Sequence, residues 1–246
     1  MNYQQNREKM ELKIYRRLLK YSPFAPTRSS LGTGHKVIHR LKNGATITAS
    51  AVDVVTVSDA EKLYSAIFCK YSEERGEKYV TFKAKIRDIQ KMTNCKDPEY
   101  IFNCIEKITK LSIVYDNFFK RKVFHVVGDA EFERELGEIK IEMPIETYNS
   151  FLNKALTLNL KKFIELRPIT KNLYGFITSN SSLEFREDLL IERTASASER
   201  KDKAQSILKK ALVELKNNYI IQDFKIEKKN KVRFIILKKN QIKKLP

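Results

Sequence analysis

The sequence predicts an α+β chain, mostly helical, in which one order of elements occurs twice: helix, short strand, two helices, hairpin. Three observations predict it. Apolar residues recur at helical spacing over 58–71, 85–94, 97–111, 160–180, 185–193 and 199–218. Each half then closes on alternating runs rich in β-branched and aromatic residues, over 113–144 and 219–237, as strands around tight turns do. The net charge of +18 is also uneven, with ten Lys/Arg against two Asp/Glu in residues 1–50, fifteen against five in 199–246, and twenty-three of each between. Basic ends flank a neutral body.

Residues 1–50 read as a basic N-terminal arm and linker. Met10, Ile14, Leu18 and Leu19 suit one face of a helix over 1–20, packed on the body or reaching toward DNA; a disordered arm is the competing reading. Residues 22–34 read as a linker, because Pro23, Pro26 and two glycines break regular structure. Asn43-Gly44 between β-prone runs predicts a hairpin.

Residues 51–144 form the first predicted domain. Ser58 with Glu61 three residues on suggests a capping box opening a helix over 58–74, with Leu63, Ile67, Phe68 and Tyr71 inward. Residues 79–85 read as a strand and 85–94 as a helix. Asp97 then caps a helix with Pro98 in its first turn. Tyr100, Ile101, Cys104, Ile105, Ile108 and Leu111 make its apolar stripe, with Asn103, Lys107 and Lys110 outward. Residues 113–144 then alternate in β fashion around Lys120-Arg121-Lys122 and Gly128-Asp129, and close the domain as a hairpin. Ile113, Val114, Tyr115, Phe118, Phe119, Val123 and Phe124 either complete this domain's core or offer a strand edge to a second copy of the chain.

Residues 145–246 form the second domain. Pro168 interrupts the helical pattern over 160–180, and a second helix covers 185–193. Residues 194–198 supply a small polar turn with cap residues before a long helix ending near 218. Ala204, Ile207, Leu208, Ala211, Leu212 and Leu215 line one side of that helix, and Lys203, Ser206, Lys209 and Lys210 the other. The closing runs turn around Lys-Lys-Asn-Lys at 228–231, a hairpin with a basic tip.

Several chemistries are excluded. GTGHK at 32–36 lacks the spacing of a phosphate loop and the Ser/Thr after its lysine. His35 and His39 stand four apart, but glycine and β-branched neighbours argue against a helix and no carboxylate cluster lies beside them, so no metal is expected. No His-apolar-His triplet offers the metal centre of a rolling-circle nickase, and His125 stands alone in a strand-like run. No catalytic residue, enzymatic activity or cofactor is predicted. Cys69, Cys95 and Cys104 lack paired spacing and read as buried reduced thiols. No apolar run approaches about eighteen residues, and no signal peptide opens the chain. A soluble cytoplasmic protein without a membrane partner is the expectation.

A basic helix followed by a basic hairpin is the layout of a DNA reader, with the helix in the major groove and the hairpin on adjacent backbone. A plain helix–hairpin domain with a solvated basic face fits the same segment. The charge distribution favours a polyanion, since Lys and Arg beside phosphates release counterions. The DNA-binding candidates are Ser198, Arg200, Lys201, Lys203, Ser206 and Lys210 on the helix, Lys228, Lys229 and Lys231 on the hairpin, and Lys107 and Lys110 on the first domain's helix. Arg200 suits a guanine edge, whereas hairpin lysines suit phosphate.

The doubled order suggests two tandem winged helix-turn-helix domains, which could lie on consecutive major-groove faces. In GEIKIEMPIETYNSFLN (137–153), FIELRPITKNLYGFI (163–177), ILKKALVEL (207–215) and FKIEKKNKVRFIIL (224–237), the chain resembles the iteron-binding, tandem winged-helix replication initiators of plasmids. The resemblance implies binding of double-stranded origin repeats, opening of the adjacent duplex, and recruitment of a host replication initiator and helicase. It also implies a homodimer formed through the first domain, with the monomer as the origin-binding form. A winged-helix transcriptional regulator is the alternative. A module for protein contacts suits the +18 charge poorly.

Overall fold

Strand pairing in this protein reaches much further along the chain than local periodicity suggests. The computed structural model describes residues 11–15, 22–27, 34–41, 43–153, 155–194 and 200–239. Among these, thirteen strands hold nearly as many residues as eight helices, in four antiparallel sheets. The fold is α+β. The expected mostly helical chain of two tandem winged helix-turn-helix domains is corrected by this content, because the first half carries two four-stranded sheets in place of one small hairpin.

The central strands of one sheet explain why it forms. β9 (Glu138–Pro144) alternates buried and half-buried residues, as β5 (Tyr79–Lys85) does after its exposed Tyr79. Their register sets Val80 against Met143, Phe82 against Ile141 and Ala84 against Ile139, which gives one face of cross-strand apolar pairs. β4 (Lys70–Arg75) and β8 (Asp129–Glu133) flank them. Helices α1 (Val57–Phe68), α2 (Ile86–Thr93) and α3 (Pro98–Thr109) pack with this sheet. The second sheet has the order β2 (His35–Arg40), β3 (Thr46–Ala51), β6 (Ser112–Asp116), β7 (Arg121–His125). The hairpin expected around Asn43-Gly44 is present, with Gly44 at φ +79° in its turn.

Four local expectations are corrected. The first helix stops at Phe68 and 70–75 is a strand, because little apolar surface follows at helical spacing while β5 offers a backbone partner. Its capping box is Thr56 with Asp59, not Ser58 with Glu61: Thr56 Oγ1 accepts from Asp59 N at 3.3 Å and Asp59 Oδ2 accepts from Thr56 N at 2.7 Å. In the arm, Glu11–Tyr15 is strand β1, paired with β10 (Ala155–Asn159), so the helix over 1–20 does not form there; the rest of it lies outside the described residues. Finally, Ser22–Thr27 is core rather than linker. Phe24 and Ala25 are buried, and Ala25 exchanges backbone hydrogen bonds with Val55 and Val57.

That buried segment explains both histidines. His35 Nε2 meets Pro23 O at 2.6 Å while its Nδ1 accepts from Val55 N at 3.2 Å. His39 Nε2 meets Ser22 O at 3.1 Å, and Arg193 Nη1 lies 2.9 Å from His39 Nδ1. Arg193 belongs to α7 (Glu187–Thr194), and its guanidinium sits 4.9 Å from the Phe176 ring centre. The second half is thereby latched to the β2–β3 hairpin.

The remaining helices are α4 (Ile145–Asn153), α5 (Leu160–Glu165), α6 (Pro168–Ser179) and α8 (Lys201–Asn217). The break at Pro168 is observed as the boundary between α5 and α6. One apolar cluster runs through Phe24, Leu63, Phe82, Phe163 and Leu212. Among the described residues no helix is long and apolar enough to cross a membrane.

The His39 latch makes stability depend on pH. Burial, then the Arg193 charge, lowers its pKa from 6.5 to about 4. The unfolded chain therefore binds more protons in that window, so the contribution is complete above about pH 6.5 and is lost as pH falls toward about 4. At about 1.4 kcal/mol per unit, a loss of roughly 2–3 kcal/mol is expected. Urea unfolding at pH 7 and pH 4.5 should show a smaller loss in His39→Gln than in the unaltered chain. Equal losses would exclude His39 as the titrating group.

Candidate nucleic-acid interface

Helix α8 is two-faced because its sequence leaves no other way to bury its apolar stripe. Ala204, Leu208, Ala211, Leu212 and Leu215 are buried, which turns Lys201, Lys203, Ser206, Lys209 and Lys210 outward. Its 17 residues span about 25 Å. A helix of this size fits the B-DNA major groove.

Two carboxylates hold α8 in place. Glu214 accepts from Arg167 N at 2.8 Å, Arg167 Nε at 2.6 Å and Thr170 Oγ1 at 2.6 Å, tying α8 to the start of α6. Burial alone would raise the Glu214 pKa, but these hydrogen bonds and the arginine charge outweigh it and lower it. Glu187, at the start of α7, accepts from Gln205 of α8 at 2.8 Å and pairs with Arg233 at 2.9 Å. A shallow groove of about 600 Å³ follows the outer face of α8, lined by Arg167, Ser206, Lys209, Lys210, Val213 and Asn217.

The hairpin joins β12 (Ile221–Lys229) to β13 (Val232–Lys239), and β11 (Glu184–Arg186) pairs with β13 on its other side. Lys216 of α8 binds Asp223 of β12 at 2.9 Å. The turn residues Asn230 and Lys231 both have positive φ, 48° and 67°, the handedness that a two-residue hairpin turn requires. Asparagine tolerates that region well; lysine does so at a cost of about 1–2 kcal/mol. Lys231 thus stands at the very tip.

The structure gathers Arg200, Lys201, Lys203, Ser206 and Lys210 on or beside one helix, with Lys228 and Lys231 at the hairpin tip, all exposed. Lys201, Lys210, Lys228 and Lys231 have no ion-pair partner among the described residues. Arg200 occupies the N-cap position of α8 and pairs with Asp202 at 3.4 Å, but both side chains are largely exposed, so the pair yields readily. Ser198 lies outside the described residues.

Three candidates differ from expectation. Lys229 reaches back to Glu184 of β11 at 2.7 Å and to Glu227 at 3.9 Å, and the Glu184 hydrogen bond raises its pKa. It braces the sheet instead of extending from the tip. Lys110 of α3 is bound to Glu106 at 2.8 Å one turn away, and Lys107 is half-buried, so the first half's helix presents little uncompensated charge. Two residues join the site: Lys209, already legible on the lysine face of the helix, and Arg167, whose approach depends on the remote Glu214.

Cys69 and Cys104 are buried and Cys95 half-buried, none in a disulfide. Burial pushes the Cys104 thiol up to about 12, far from a nucleophile's range. Among the described residues no group of three or more His, Cys, Asp or Glu is placed to hold a metal ion.

The lysine geometry separates a tip cation from a brace. Lys231→Gly relieves the positive φ while removing charge, so stability should change by less than about 1 kcal/mol. Its logarithmic salt slope for duplex binding should become shallower by about one unit, whereas Lys229→Ala should leave the slope unchanged. Anisotropy titrations across a KCl series measure both, and an unchanged slope for Lys231→Gly would remove the tip from the phosphate contacts. No protein-family model matches the chain, and the comparison with curated proteins finds no match.

Proposed function

We propose that the chain binds double-stranded DNA through α8 and the β12–β13 tip, and that it starts replication of a plasmid or mobile element at repeated origin sites without a catalytic step of its own. The observation that supports the first part is the row of exposed lysines on α8, several without a counter-charge, beside a hairpin tip that carries two more. Cations so arranged release counterions from a phosphate backbone and orient the helix over a groove. Arg200, at the start of the helix, is the side chain best suited to a guanine edge.

The second part rests on the resemblance to plasmid replication initiators, carried by 137–153, 163–177, 207–215 and 224–237. The last two segments are α8 and the hairpin themselves. On this reading the partners are origin repeats, a host replication initiator and helicase, and a second copy of the chain.

A nuclease footprint on the DNA upstream of the chain's own gene tests the proposal. Several protected blocks of one repeated sequence beside an A·T-rich stretch are expected; one block over a promoter would indicate a regulator, and no protection would contradict DNA reading there. Arg200→Ala should lower the preference for the protected sequence over random duplex by about tenfold to a hundredfold. Equal losses on both duplexes would remove Arg200 from base readout.

A further inference from the structure

The β6–β7 turn holds two aromatic rings almost wholly in solvent: Phe118 is 95% and Phe119 91% exposed. Their ring centres are 5.2 Å apart and nearly perpendicular. The turn that carries them is well braced. Asn117 Oδ1 accepts from Phe119 N at 3.0 Å and from Lys120 N at 2.6 Å, Asn117 N donates to Lys120 O at 3.0 Å, and Asn117 Nδ2 donates to the Tyr115 hydroxyl at 3.0 Å. Lys120, Arg121 and Lys122 follow directly, all exposed. Arg121 approaches Asp116 only at 3.9 Å, while Lys122 is paired with Glu146.

Nothing in the fold needs these rings, since the apolar residues of the same hairpin that serve the core lie below them. Ile113 is buried, and Val114, Tyr115 and Phe124 are half-buried. The core of a protein interface is depleted of charge, whereas Lys120, Arg121 and Lys122 stand exposed directly beside these two rings. A membrane-binding element needs a broader apolar face. A base needs only one flat ring and a cation near its phosphate.

We propose that Phe118 and Phe119 stack on unpaired DNA bases while Lys120 and Arg121 hold the flanking phosphates. The turn then acts as a single-strand contact distinct from the duplex-binding face of α8. This inference rests on the duplex-binding reading for the source of the unpaired strand, which is DNA opened beside a bound repeat. Perpendicular rings suit successive bases that have lost their mutual stacking.

The test compares the full chain with Phe118→Ala/Phe119→Ala, titrated against labelled oligodeoxythymidylate and against the duplex upstream of the gene. The double variant should lose about tenfold or more on the single strand, with unchanged duplex affinity and thermal midpoint. Phe118→Trp/Phe119→Trp, which keeps flat rings, should retain single-strand affinity. Unchanged single-strand affinity in the alanine variant overturns the inference and leaves duplex binding untouched. Equal loss on both probes also overturns it, because the turn would then belong to the duplex site. A chain that binds oligodeoxythymidylate through these rings but does not bind duplex upholds the inference and overturns the duplex reading. Cosedimentation with phosphatidylserine vesicles that depends on the two rings, without a single-strand effect, would assign the turn to a lipid surface and overturn the inference.

Discussion

Glu61 holds two lysine ammonium groups inside the protein, and the arrangement of the two halves depends on that contact. Lys62, its neighbour on α1, donates to it at 2.8 Å, and Lys171 donates from α6 across the interface. All three side chains are less than a tenth exposed. Charges this deep are expensive unless paired, and removing one partner from such a pair typically costs roughly 3–5 kcal/mol because the other is stranded. The pairing therefore specifies one way for α1 and α6 to meet. Around it, Tyr64 packs on Phe163 at 5.8 Å and Phe163 on Tyr174 at 6.4 Å between ring centres. From α6 the Glu214 contacts fix α8, and from α7 Glu187 fixes both α8 and the hairpin.

The same accounting of charge separates brace from site. In the neutral middle of the chain, cations meet carboxylates: Lys83 with Glu133, Arg134 with Glu99, Lys110 with Glu106. Such surface pairs add little stability, but they cancel the long-range field. On the outer face of α8 the cancellation fails, because Lys201, Lys209 and Lys210 find no partner among the described residues. Part of the net charge of +18 is thus left without a counter-charge on this face of the helix.

What could be read in advance was whatever depends on neighbours within a turn or two. The stripe of α8, the break at Pro168, the Asp97 cap of α3 and the strand at 79–85 all follow from local spacing, and each is found. What escaped depends on partners far along the chain. β1 is a strand because β10, more than a hundred residues away, lies beside it, and Phe24 is core because Tyr64 receives it. Such pairings moved the balance from mostly helical to mixed. In the site, Lys229 looked like a tip residue by position, and only the return of β11 shows that Glu184 claims it. Phe118 and Phe119 were legible as apolar, yet nothing local told that the fold would leave them outside.

Acetylation footprinting of the lysines, with and without duplex DNA, tests the central claim most directly, since mass spectrometry reports each side chain separately. Bound duplex should protect Lys201, Lys209, Lys210, Lys228 and Lys231. Lys83 and Lys140, on the sheet of the first half, should react alike in both samples. Protection spread evenly over all of these lysines, or confined to the first half, would contradict a duplex site built from α8 and the hairpin tip.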